Sequence, residues 1–217
     1  MLAERTFVFS DQTGLCVRIT VSEIADHSYG MYTWPCAPVL AQYIWFNRSN
    51  FVDKTVLELS AGTALPGMMA AKCGARVYLS DRPDIPHRVE HVERSCKLNT
   101  LPNMPIHGVQ WGRLKGDVEL IPRLDYIVAS DCFYNTSDFE DILVTVSFLL
   151  SKNKSAEFIL TYQERSTSWY IEHLLHKWNL KASIEPLTNF DADMENIAES
   201  DLPGHHTIKL FKIILSP

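Results

Sequence analysis

Apolar residues along this chain follow two alternating rhythms. Short continuous runs, Val56-Leu57-Glu58-Leu59, Arg76-Val77-Tyr78-Leu79-Ser80, Leu124 to Ser130 and Glu157 to Tyr162, have the length and content of strands buried on both faces. A shorter run, Pro105 to Val109, predicts one more strand of the same kind. Between these runs the apolar positions recur at helical spacing. Val39, Leu40, Tyr43 and Ile44 mark a helix over 38–46, and Leu65 to Cys73 a second, with Pro66 in its first turn and Gly74 at its stop. Val89, Val92 and Cys96 give one face of a helix over 86–99. Phe139, Ile142, Leu143, Val146 and Leu150 give another, behind the capping box Ser137-x-x-Glu140. Ile171, Leu174, Leu175 and Trp178 complete the set. Strands and helices that alternate from residue 37 to 186 predict an α/β fold, a parallel sheet covered on both faces. Residues 6–9 and 15–21 are β-rich and flank the turn cluster Asp11-Gln12-Thr13-Gly14, so a hairpin opens the chain. Its end differs again: Lys181–Glu185 and Thr207–Ile214 read as strands with no helix between them.

The first sheet run leads into Ser60-Ala61-Gly62-Thr63-Ala64, a loop of small residues that opens a helix. Small residues let backbone pass close beneath a ligand, and the helix start beyond offers unpaired N–H groups. Glu58 and, about twenty residues on, Asp81 stand where carboxylates accept hydrogen bonds from a ribose. Together these residues describe a nucleoside-cofactor site. The spacing Ser60-x-Gly62-x-Ala64 is not the G-x-G-x-x-G of a dinucleotide fold, in which strands and helices would also be expected to keep alternating to the end. Ligand chemistry in such sheets collects at the carboxyl ends of strands, which here present Ser130-Asp131-Cys132-Phe133-Tyr134 and Gln163-Glu164-Arg165. Asp131 and Glu164 are candidates to face a basic side chain, with Tyr134 to orient it and Arg165 to restrain or neutralise Glu164. His87 and His91 are spaced to clamp a metal, yet no third ligand accompanies them, and no metal is expected.

The run from Val56 to Gly67 resembles the first motif of seven-strand S-adenosylmethionine-dependent methyltransferases. Leu65-Pro66-Gly67, the upstream Trp34-Pro35 and the D-x-x-Y of Asp131 to Tyr134 are similar to the family 16 protein methyltransferases. The resemblance spans residues 30 to 165. It departs at Ser60 and Ala64, where that family usually has glycine. It implies a Rossmann-like seven-stranded sheet, mostly parallel with the last strand antiparallel, and S-adenosylmethionine as cofactor. It further implies that Ser60, Ala61, Gly62, Thr63 and Ser130 line the cofactor site beside Glu58 and Asp81. Trp34 is then either a wall of the methionine pocket or a core aromatic. Trp111, with Gly112 behind it, is either a stacking surface for adenine or an ordinary buried ring. The implied activity is methyl transfer to an arginine or lysine nitrogen of a basic protein, a histone among the possibilities. A small-molecule methyltransferase and a catalytically weak interaction scaffold stay open beside it.

Length and charge narrow this further. A chain of 217 residues with 46% hydrophobic and 21% charged residues suits one soluble domain, with 1–30 as a hairpin extension and 187–206 as an insertion. The formal charge of −6 argues against direct nucleic-acid binding through general basicity and favours a basic partner. Five scattered cysteines with no C-x-x-C argue for a reducing compartment. No signal pattern or run of apolar residues long enough for a membrane span is read, so cytoplasm and nucleus are expected; a monomer is expected as well. Asp191, Asp193, Glu195, Glu199 and Asp201, with no Lys or Arg among them, make 187–206 either a solvated loop or an attractor for basic peptide.

Overall fold

The computed structural model describes residues 2–11, 13–24, 31–84, 87–166 and 171–216. Two antiparallel strands come first, β1 (Leu2–Ser10) and β2 (Cys16–Ile24), paired Leu2 with Ile24 through Ser10 with Cys16. A seven-stranded sheet follows: β3 (Thr55–Glu58), β4 (Arg76–Asp81), β5 (Ile106–Gly108), β6 (Tyr126–Ser130), β7 (Glu157–Gln163), β8 (Leu180–Glu185) and β9 (Ile208–Leu215). Its order is β5-β4-β3-β6-β7-β9-β8. The first five are parallel, and β9 inserts antiparallel between β7 and β8. This is the sheet that the resemblance implies. Chain order reverses between β3 and β6, which lie side by side, so a crevice opens at their carboxyl ends.

Each face of the sheet carries its own apolar core. Helices α1 (Cys36–Phe46) and α2 (Leu65–Lys72) cover one face, with α3 (Arg88–Leu98) and the hairpin residues Phe7, Phe9, Ile19 and Val21. The other face is covered by α5 (Phe139–Lys152), aided by the short α4 (Asp117–Leu120) and α6 (Glu172–Lys177). Three expectations are corrected here. Val89 points to solvent, because α3 turns Val92 and Cys96 inward instead. Ser137 does not cap α5: Asn135 Oδ1 accepts the Ser137 N–H, and Glu140 reaches out to Lys177 and to the Trp178 indole N–H. A tertiary ion pair outbids the local cap. Segment 187–206 is not a free loop either, since Phe190, Ala192, Ile197, Ala198 and Leu202 are buried in the first core. Tyr29, Gly30 and the expected helix start at Pro86 lie outside the described residues.

Candidate active site

The turn after β3 is held in an unusual backbone shape. Ser60, Gly62 and Ala64 all adopt left-handed φ, at 54°, 51° and 59°. That conformation costs an L-residue about 1–2 kcal/mol and is free for glycine. The rest of the site shows what holds it there. Asp81, at the end of β4, accepts the Gly62 N–H at 2.9 Å and its own neighbour's, Arg82, at 2.8 Å. Ala61 N–H donates to Ser80 O, and Thr63 Oγ1 lies 2.9 Å from Thr33 Oγ1 in the interior. Thr33 in turn donates its N–H to the buried carboxylate of Glu23 on β2. The hairpin and the segment carrying Trp34 are thereby tied to the turn, a link for which the sequence offered no motif.

Glu58, expected at a ribose, is not exposed at the surface of the turn. It is wholly buried under the turn, where Oε2 accepts the Gly67 N–H at 2.8 Å. A methyl at Gly67 would stand 2.5 Å from that oxygen, so glycine there lets α2 sit directly on the carboxyl group. Burial pushes the Glu58 carboxyl well above its ordinary range; the Gly67 N–H opposes this and the Asp81 charge adds to it. Oε1 is buried with no hydrogen-bond partner among the described residues. Asp81 is the acid placed at a strand end, beside the turn.

Trp111 follows β5 half-buried, its ring 6.4 Å from that of Tyr134. Gly112, at φ 75°, does approach something closely, but it is α5: its N–H donates to Asp141 O and Thr145 Oγ1, and a Cβ would lie 2.6 Å from Asp141 Oδ1. The glycine docks the loop onto α5 and so fixes where Trp111 sits. Trp34 packs edge-on to Tyr32 at 5.4 Å, just before α1. Ser130, half-buried, ends β6 opposite Thr161 of β7.

At Asp131 the chain turns sharply, φ 58°. Its buried carboxylate takes a two-pronged grip from Arg165, Nη1 to Oδ1 at 2.8 Å and Nη2 to Oδ2 at 2.5 Å. This bond raises the Arg165 guanidinium above its ordinary value. Arg165 therefore does not restrain Glu164, whose Oε2 pairs with Lys209 Nζ at 2.9 Å. Consecutive residues leaving β7 point to opposite sides, which separates the two neighbours. Buried beside Asp131 is Cys36, whose thiol is pushed up by burial first and then by the Asp131 charge. His87 and His91 engage Glu90 and Ser22, and no cluster able to hold a metal occurs among the described residues.

These parts define a class of protein. A topological switch point with a left-handed small-residue turn, an acid at the next strand end and a final antiparallel strand is the frame of a seven-strand methyltransferase. Solved structures agree on the fold: the Thermus thermophilus 16S rRNA N2 G1207 methyltransferase, in complex with AdoMet and guanosine, matches with a TM-score of 0.61 at 16% identity, covering 99% of this chain and 51% of that one. A putative RNA methyltransferase from Pyrococcus horikoshii matches at 0.60 with 12% identity, over 91% and 93%. The chain belongs to the family described as lysine methyltransferase, whose model matches residues 16–176. It is 48% identical over 217 residues to a histone-arginine methyltransferase METTL23 of Xenopus laevis, covering 99% of this chain and 93% of that protein. The human protein of the same name is 50% identical over 183 residues, 84% of this chain and 96% of its own. The chain is thus a methyltransferase that uses S-adenosylmethionine. The residues present fit that cofactor: the turn from Ser60 to Ala64 has no side chain larger than threonine, and the Asp81 carboxylate stands against it on the Gly62 N–H.

Proposed function

We propose that this enzyme methylates a side-chain nitrogen, arginine before lysine, of a basic protein, with a histone the first substrate to test. The observation that carries the reading is the Asp131 carboxylate at the end of β6, gripped by a guanidinium in two-pronged geometry. The names of the relatives at 48% and 50% identity point the same way. In this reading Ser60 to Thr63, Asp81, Trp111, Ser130 and Trp34 hold the cofactor, which supplies a methyl group already activated on a sulfonium. The chain's own work is alignment and exclusion of water. Asp131 holds the charge of the incoming group, Tyr134 orients it, and Glu164 attracts it from the neighbouring strand end. The enzyme works in cytoplasm and nucleus.

Transfer of tritiated methyl to purified histones, with the labelled residue located by mass spectrometry, tests this. Asp131→Asn keeps the shape and removes the charge; methyl transfer should drop by roughly 100-fold, as when one preorganised electrostatic contact is lost. Calorimetric affinity for S-adenosylmethionine should hold. Full turnover in Asp131→Asn would remove Asp131 from the chemistry, and label on a small molecule alone would replace protein as the substrate class.

A further inference from the structure

Both carboxylates on the acceptor side are already occupied by cations of this chain, and the two pairs differ. Glu164 and Lys209 are 35% and 42% exposed, so water screens their attraction and either partner leaves easily. The Asp131 carboxylate is 4% exposed, while the Arg165 side chain that holds it is 29% exposed. A buried carboxylate stripped of its partner is strongly unfavourable, so nothing removes Arg165 cheaply unless it replaces what Arg165 supplies. A substrate arginine does so: its guanidinium restores the charge and both N–H bonds one for one. A lysine does not. Its nitrogen has a lone pair to offer only as the neutral amine, which brings neither the charge nor the fork.

We propose that Arg165 is an internal stand-in for the substrate, exchanged for an incoming guanidinium, and that this exchange selects arginine over lysine. The inference rests on the proposed reading of Asp131 as the acceptor-side carboxylate and names what that reading leaves open. Arg165 is suited to leave: it lies beyond the last residue of β7, Gln163; apart from the Asp131 fork its side chain's one further hydrogen bond among the described residues is a long one, Nη1 to Gln163 O at 3.3 Å; and that side chain is part-exposed.

Two peptides of one basic sequence, differing only in a single Arg or Lys acceptor, test the exchange against full-length protein. The wild type should favour the arginine peptide by at least about 10-fold in kcat/KM, the discrimination expected where a mismatched ligand leaves a buried group unpaired. Arg165→Lys replaces the fork by a point charge and loosens the hold on Asp131. It should lower KM for the arginine peptide several-fold, tighten its calorimetric affinity and narrow the preference for arginine. A lower kcat with unchanged KM would mean that Arg165 merely positions Asp131, and equal use of both peptides by the wild type would overturn the selection. A second arm needs no turnover. In Arg165→Ala, millimolar methylguanidinium should raise the melting temperature, with no rise in wild type; absence of that rescue overturns the exchange. If neither peptide accepts label, the substrate reading falls, and the rescue arm still decides whether Asp131 takes an exchangeable guanidinium.

Discussion

One buried carboxyl group under the small-residue turn makes the stability of this protein depend on pH. Glu58 is wholly buried with one N–H bond and, among the described residues, no ion pair, so the folded chain prefers it protonated. Its folded-state value lies above the unfolded one, and between the two the native state binds the extra proton. Stability is therefore full below the ordinary glutamate range and falls as pH climbs through the window up to the raised value. The loss is at most about 1.4 kcal/mol per pH unit within that window. Glu58→Gln keeps an oxygen for the Gly67 N–H and does not titrate. Urea unfolding of the variant should show a flat profile where the wild type declines, so that the variant is the more stable at neutral pH and gains nothing at pH 4. Parallel profiles would mean that Glu58 is ionised in the folded protein.

At the scale of elements, the sheet was legible because strands buried on both faces must be apolar throughout, and Val56-Leu57, Ile127-Val128-Ala129 and Phe158-Ile159-Leu160 are. The small-residue turn was legible for a related reason, since its backbone shape tolerates little else. What could not be read was any partner choice made across the fold. Arg165 stands next to Glu164 in the chain, yet Asp131 from a neighbouring strand takes it; Glu140 has capping-box spacing, yet Lys177 takes it. Sequence neighbours cannot report such competition. The turn itself gives a test. Ser60 holds φ 54° without the glycine that its family usually carries there. Ser60→Gly removes strain of about 1–2 kcal/mol against an unfolded-state entropy cost of about 0.4–1 kcal/mol. The net gain should raise the melting temperature by about 2–4 °C in a chain of this size. A fall would show that the Ser60 side chain contributes more than its backbone strain removes.

Over the whole molecule, charge is unevenly placed. Residues 191–201 are anchored from inside by Ala192, Ile197 and Ala198, while Asp193, Glu195 and Glu199 stand on the exposed side, and β1 holds the segment through Arg5 Nη2 to Ser200 O at 2.7 Å. Both ends of the insertion, Glu185 and Thr207, sit near the carboxyl end of β7; Glu164 N–H donates to Thr207 O, beside the carboxylates proposed to face the substrate. An acidic face fixed in shape, on a chain of net charge −6, should draw a basic protein toward that end of the sheet. Replacing Asp193, Glu195 and Glu199 by lysine leaves the buried anchors untouched, so the fold and the affinity for S-adenosylmethionine should persist. KM for a basic protein substrate should rise about 10-fold at low salt, the lower end of electrostatic steering effects. The difference should shrink in 0.5 M salt, because screening shortens the reach of exposed charge to a few ångströms. A KM that ignores both substitution and salt would leave the insertion with a packing role alone, since its apolar residues would then account for its whole presence in the chain.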